Sequence, residues 1–236
     1  MTALDEVGTE VRVPDRVYRF LRAVAHAINR LYWRVEVQHH GEVPAAGPAI
    51  VAPVHRSFMD FFVASEATTR KLFFMAKDDL WRSRRFGRFL ESLGAFPVNR
   101  SGADRLALER AQGVLERGDV LVLFPEGTRR VGPVVEDLHE GAAFLALRTG
   151  APIVPVGIAG TDRAMPKGAK VARPVKVRLA VGAPIAPPSR PRGTRVRRSE
   201  VHRLTEQLRQ ALQQLADEVG TGRVGSPTDS GGDGRR

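Results

Sequence analysis

Cysteine is absent from the 236 residues, which excludes disulfides, thiolate nucleophiles and zinc-thiolate sites and suits a reducing compartment. Tyrosine and tryptophan occur only twice each. No aromatic side chains alternate with basic ones in the manner of a base-stacking platform, so nucleic acid is not an expected partner. No apolar run reaches the ~20 residues that a membrane-spanning helix requires. The first twelve residues are polar and of mixed charge and do not read as a secretory leader. A soluble or surface-bound cytoplasmic protein is the expectation, with no internal repeat in the chain.

What the sequence does have is positive charge, +11 net. That points to an anionic partner, and without a stacking platform the remaining classes are a membrane surface or a phosphorylated small molecule. A solvated basic face fits the same composition. A chain of this length buries roughly 70–75% of its unfolded surface, enough for a proper core.

Apolar side chains at Val17, Phe20, Leu21, Val24, Ile28, Leu31 and Val35 recur at helical spacing through 14–37, with Arg16, Arg19, Arg22, Arg30 and Arg34 on the other face, and the helix is expected over 14–34. Such a basic amphipathic helix fits an anionic membrane, and it fits the chain's own sheet equally well. Val35-Glu36-Val37 continues as a strand. His39 and His40 point to opposite sides of an extended chain and are not read as a metal site. Strands are expected at 49–53 and 71–76, with a helix from Phe58 between them. A helix over 77–92 carries Arg82, Arg84, Arg85 and Arg88, which face either phosphate, a headgroup or solvent. An extended segment 94–100 and a helix 103–116 lead to Val120-Leu121-Val122-Leu123-Phe124, a continuous apolar strand typical of a parallel sheet.

After a helix at 140–148 comes the strand 153–158, whose Pro155 suits an edge or a bulge, and another strand at 175–181. A last amphipathic helix carries Val201, Leu204, Leu208, Leu212, Leu215 and Val219. Arg190 to Arg198 form a basic connector able to touch anionic lipid or stay solvated. The expected fold is α/β, a single domain with a mixed, largely parallel sheet flanked by helices and an N-terminal amphipathic helix.

Chemistry concentrates at Ala49-Ile50-Val51-Ala52-Pro53-Val54-His55-Arg56-Ser57-Phe58-Met59-Asp60. In one helix His55 and Asp60 would lie roughly 140° apart. Ser57-x-x-Asp60 before an apolar run instead reads as a capping box, with Ser57 at the N-cap. An acidic side chain at the third helical position points back toward the loop that holds His55. A carboxylate on one imidazole nitrogen fixes the tautomer and leaves the other nitrogen as a general base. Taken alone, the pattern is equally at home as a plain helix cap beside a loop histidine. Pro125-Glu126-Gly127-Thr128-Arg129-Arg130 then follows an apolar strand at the carboxyl end of which ligand sites gather in open α/β sheets. Gly127 allows close backbone approach, Thr128 offers a hydroxyl and Arg129 a forked contact to phosphate. The same residues make ordinary turns.

Together these blocks resemble the glycerolipid acyltransferase family, the group containing 1-acylglycerol-3-phosphate acyltransferases. His55-Arg56-Ser57-Phe58-Met59-Asp60 is similar to its His-x4-Asp block, and Gly94 to Arg100 to its second block, which ends in arginine. Phe124-Pro125-Glu126-Gly127-Thr128-Arg129 matches the third in full, and Ile153-Val154-Pro155-Val156 resembles the fourth. Val54 replaces a usually polar residue and Pro97 a usually non-proline one; both bear on how the acceptor is held. The resemblance implies acyl transfer from acyl-CoA or acyl carrier protein to the free hydroxyl of 1-acylglycerol 3-phosphate, with no other cofactor, giving phosphatidate for phospholipid synthesis.

Under that reading His55 is the base and Asp60 holds its ring, while Arg100, Gly127, Thr128 and Arg129 bind the acceptor phosphate. Glu126 orders the loop or an acceptor hydroxyl, since a carboxylate facing phosphate would repel it. The partners implied are acyl-CoA, a lysophospholipid acceptor and an anionic membrane surface, reached peripherally from the inner face of the cell membrane. The expected organisation is a polar N-terminus over 1–13, an acyltransferase domain over 14–219 and a disordered tail over 220–236, where Gly, Ser, Thr, Asp and Pro dominate. Rival readings are a different lysophospholipid or glycerol 3-phosphate as acceptor, a serine hydrolase using Ser57, and a non-catalytic lipid-binding module. Ser57 lacks the Gly-x-Ser-x-Gly elbow, and a binding module has no need of His55 and Asp60.

Overall fold

The computed structural model describes residues 15–39, 41–98, 105–166, 168–169, 171–191 and 194–221. In chain order the elements are α1 (Asp15–Leu31), β1 (Glu36–His39), β2 (Ala49–Pro53), α2 (Asp60–Ala64), β3 (Leu72–Lys77), α3 (Arg84–Ser92), β4 (Ala95–Val98), α4 (Arg105–Glu116), β5 (Val120–Val122), α5 (Gly141–Thr149), β6 (Ile153–Ala159), α6 (Thr161–Ala164), β7 (Arg178–Val181) and α7 (Arg198–Thr221). Short 3-10 turns lie at Ser65–Ala67 and Asp78–Arg82. The second of these, with Ser83 capping α3 through its hydroxyl, divides what the sequence suggested was one helix over 77–92. The expected tail at 220–236 begins later than the composition suggested, because α7 continues through Thr221; the rest of it, like the polar N-terminus, lies outside the described residues.

The strands form one seven-stranded sheet in the order β1-β7-β6-β2-β5-β3-β4. All pairings are parallel except β6 with β7. β2 and β5 are buried at every residue, which is why their sequences are continuously apolar rather than alternating. The chain moves one way across the sheet from β2 to β3 to β4, then back through β5 to β6. Right-handed crossovers therefore put α2 and α3 on one face and α4 and α5 on the other. α1 packs on α2, and α7 packs on α5 and β6. At Gly157 a Cβ would come within 2.8 Å of the Leu215 backbone, so α7 lies directly on β6.

Of the two placements expected for Pro155, an edge or a bulge, the structure has the bulge, since β6 is an interior strand. The proline is tolerated because the β6–β7 ladder stops at Val156↔Val181 and resumes only as the bridge Ile153↔Ile185. Val154 and Pro155 thus face three residues, 182–184, and the missing N–H falls in that bulge. Pro97, by contrast, is in β4, which is a true edge.

The orientation of α1 is settled by its polar side. Tyr18 is buried and accepts a hydrogen bond from the Leu72 N–H at 3.0 Å. Arg22 donates to the carbonyls of Thr68 and Thr69, His26 Nδ1 lies 2.7 Å from Glu66, and buried Asn29 donates to the Phe62 carbonyl and to Glu66. Val17, Phe20, Val24, Ile28 and Leu31 face outward, with Phe20 67% and Leu31 78% exposed. Among the described residues no helix is long and apolar enough to cross a membrane.

Candidate active site

β2 and β5 are neighbours whose outgoing chains leave for opposite faces of the sheet, so a crevice opens between their carboxyl ends. The loops that follow them carry the first and third sequence blocks, and both loops enter this crevice. Helix α2 begins at Asp60, not at Phe58, with Met59 rather than Ser57 at its N-cap and no side-chain cap there. The Ser57 hydroxyl accepts from the Met59 N–H at 3.3 Å and donates to the Met165 carbonyl at 2.9 Å. The returning carboxylate is nevertheless present. Asp60 Oδ2 accepts from the Arg56 N–H at 2.6 Å and from the Ser57 N–H at 2.7 Å.

The same oxygen is 2.9 Å from His55 Nδ1. Because Oδ2 already accepts two backbone N–H groups, the ring presents Nδ1–H to it and Nε2 keeps the lone pair. The Phe124 ring lies against the imidazole, centroids 4.3 Å apart and planes 31° apart. Asp60 is fully buried and His55 is slightly exposed. A basic nitrogen is thus held in a fixed plane at the surface of the crevice.

Glu126 is fully buried behind this loop. Its Oε2 accepts the His55 backbone N–H at 2.6 Å, and Arg56 Nη1 reaches both carboxylate oxygens at 2.6 and 2.7 Å. Arg56 Nη2 continues to the Val134 carbonyl, and the Arg130 N–H returns to the His55 carbonyl at 2.9 Å. The two loops are thereby tied at four points. Arg56 had drawn no attention in the sequence. The only signal was an arginine without a role in one block and, in another, a glutamate expected to order its loop or an acceptor hydroxyl.

Gly127 has φ +65°, and a Cβ there would collide with the His139 ring. Its glycine is demanded by both the left-handed backbone and the close approach. Thr128 and Arg129 are exposed, and Arg129 has no ion-pair partner among the described residues. Arg100 lies outside the described residues. His55 and Arg129 share a cavity of about 250 Å³ whose other walls include Phe58, Phe61, Phe74, Leu80, Leu90, Leu93 and Phe124. The cavity runs between the sheet and the α2–α3 layer, so an imidazole and a guanidinium open onto an apolar space. Among the described residues no group of three His, Cys, Asp or Glu side chains is placed to hold a metal ion.

Comparison with known proteins gives a consistent picture. The family model described as Acyltransferase matches residues 34–159, more than half of the chain. The chain is 26% identical over 170 residues to a 1-acyl-sn-glycerol-3-phosphate acyltransferase of Bacillus subtilis, covering 72% of this chain and 82% of that protein. A Streptococcus pneumoniae protein of the same name is 36% identical over 113 residues, covering 47% of this chain and 41% of its own length. The crystal structure of the 1-acyl-sn-glycerophosphate (LPA) acyltransferase PlsC from Thermotoga maritima superposes with a TM-score of 0.66 at 23% identity, covering 90% of this chain and 84% of that one. It shares the fold described above.

Proposed function

Because the chain belongs to the acyltransferase family, as an O-acyltransferase, we propose that it moves a fatty acyl group from acyl-CoA or acyl carrier protein to the free hydroxyl of 1-acylglycerol 3-phosphate, giving phosphatidate for phospholipid synthesis. The observation that carries this reading is the His55 Nδ1–Asp60 contact at 2.9 Å beside an apolar cavity that also holds Arg129. His55 Nε2 takes the proton of the acceptor hydroxyl as that oxygen attacks the thioester carbonyl. The tetrahedral intermediate collapses with cleavage of the C–S bond, and the imidazolium returns its proton to the departing thiolate. The acceptor oxygen is itself the nucleophile, so no acyl-enzyme forms.

Asp60 holds the ring and stabilises the imidazolium. The apolar walls take the acyl chain, and Arg129, with Thr128, the Gly127 backbone and Arg100, takes the acceptor phosphate. Glu126 works through Arg56 and the His55 backbone as a positioning residue. The outward apolar face of α1 supports docking on the anionic inner face of the cell membrane, where the lysolipid acceptor is met.

The test is thiol release from acyl-CoA of several lengths and from acyl carrier protein, with and without lysophosphatidate, with the lipid product identified by mass. Release that requires the acceptor, yields phosphatidate and falls about 10²–10⁴-fold in a folded His55→Ala variant is expected. Acceptor-independent release of free fatty acid would instead indicate a hydrolase. Product formed only from glycerol 3-phosphate or another lysolipid would reassign the acceptor. No turnover with any donor and acceptor would leave a lipid-binding module.

A further inference from the structure

Helix α3 carries a second surface that the chemistry above does not use. Its sequence, Arg84-Arg85-Phe86-Gly87-Arg88-Phe89-Leu90-Glu91-Ser92, contains three arginines and one acid. That acid is already engaged, since Glu91 Oε1 accepts from Trp81 Nε1 at 2.9 Å. Trp81 sits so close to Gly87 that a Cβ there would lie 2.6 Å from its ring, which fixes the buried side of the helix. Arg84, Arg85 and Arg88 are exposed and have no ion-pair partner among the described residues; Arg82, just before the helix, pairs with Asp79 at 3.1 Å.

At roughly 100° per residue, Arg84, Arg88 and Arg85 occupy one third of the circumference, Phe89 and Phe86 the next, and Leu90 follows them. Phe86 and Phe89 are 39% and 41% exposed, with ring centroids 6.2 Å apart. Leu90 is a wall of the cavity that contains His55. Passing around the helix, the side chains change from unpaired cations to exposed aromatic rings to the cavity lining.

We propose that α3 lies in the headgroup layer of a bilayer containing anionic lipid, with Arg84, Arg85 and Arg88 on lipid phosphates and Phe86 and Phe89 inserted beside the cavity wall. Cations without ion-pair partners are complementary to an anionic surface, and aromatic rings beside them suit the boundary between headgroups and acyl chains. The crossover handedness puts α3 on the same face of the sheet as α2, the helix on which α1 packs. An acidic protein partner would use the arginines but leave the two phenylalanines without a role. The inference rests on the reading that the protein works at a membrane and adds an anionic-lipid contact, separate from α1, at the cavity wall.

The test is sedimentation of the full chain with vesicles of phosphatidylcholine alone or mixed with phosphatidylglycerol, at low and high salt. Variants are Arg84→Gln/Arg85→Gln/Arg88→Gln, Phe86→Ser/Phe89→Ser and, on α1, Phe20→Ser/Leu31→Ser, each checked for an unchanged melting temperature. The wild type is expected to prefer the anionic vesicles. The arginine variant loses that preference, by on the order of a hundred-fold in partition coefficient for three residues near the surface, and keeps its binding to neutral vesicles. The phenylalanine variant weakens on both. An arginine variant that binds anionic vesicles like the wild type overturns the proposal, and one that does so while losing a complex with acidic acyl carrier protein reassigns the surface to that protein. If only the α1 variant loses vesicle binding, membrane docking stands and the role of α3 falls. If the wild type binds no vesicles, both fall, while lysolipid turnover still reports separately on the chemistry.

Discussion

Helices α1 and α7 carry similar apolar stripes and use them in opposite ways. In α7, Val201, Leu204, Leu208, Leu212, Leu215 and Val219 are buried against β6, β7 and α5. In α1 the stripe from Val17 to Leu31 is turned to solvent, and Tyr18, Arg22, His26 and Asn29 make the attachment instead. Both read as amphipathic helices with a charged far side. Periodicity identifies which residues share a face, but whether that face meets the sheet or something outside the chain depends on what the opposite face has to bond to. Around the 65–67 turn the chain offers α1 the Glu66 carboxylate and the carbonyls of Phe62, Thr68 and Thr69, and polar side chains bond to these where an apolar stripe could not.

The difference can be tested by removing matched groups from the two helices. Leu208→Ala should cost about 2–5 kcal/mol of unfolding free energy in urea melts, because the residue is buried within the core. An effect under ~0.5 kcal/mol, the range of a surface change, would mean that α7 is not part of the cooperative unit. Asn29→Ala, which strips a donor from both Glu66 and the Phe62 carbonyl, should cost about 1–3 kcal/mol. It should also expose α1 to limited proteolysis before the sheet unfolds.

A smaller effect is expected at Tyr18, whose hydroxyl is pushed above its ordinary value chiefly by burial. The fold therefore holds the neutral phenol better than the phenolate. Its contribution is whole below the ordinary tyrosine value near 10 and is lost as pH rises through the folded value. Between pH 9 and 11 the wild type should lose melting temperature faster than Tyr18→Phe; equal slopes would show that ionisation of Tyr18 is not linked to unfolding. Smallest of all in stability should be Phe20→Ser/Leu31→Ser, within ~0.5 kcal/mol of wild type for each exposed site, although vesicle binding falls. A large loss of stability there would mean that the stripe packs against protein after all.

The sequence made the strands legible where burial on both faces forces an unbroken apolar run, and β2 lies where the residues placed it, at Ala49–Pro53. Proximity of His55 to Asp60 was also readable, because it depends on a local turn. The helix start itself was misread by two positions, Met59 rather than Ser57 being the N-cap, although the Asp60 carboxylate does reach back to the Ser57 N–H. Pairing of Arg56 with Glu126 was not legible. It spans 70 positions and arises only because β2 and β5 are neighbours, a fact of sheet order that no local pattern carries. The same holds for the bulge that accommodates Pro155, which depends on where β7 stops.

β1 pairs only with β7, in the register Glu36↔Arg178 to His39↔Val181, and Tyr32 and Trp33 donate to the carbonyls of Ala172 and Arg173. Chains are made from the N-terminus, at about 5–20 residues per second. β1 therefore has no ladder until β7 has also been made. For that interval α1 is joined to a segment with no place in the sheet, and its outward stripe is already available. The sheet is therefore completed only once β7 has been made, and the two strands farthest apart in the chain close it together.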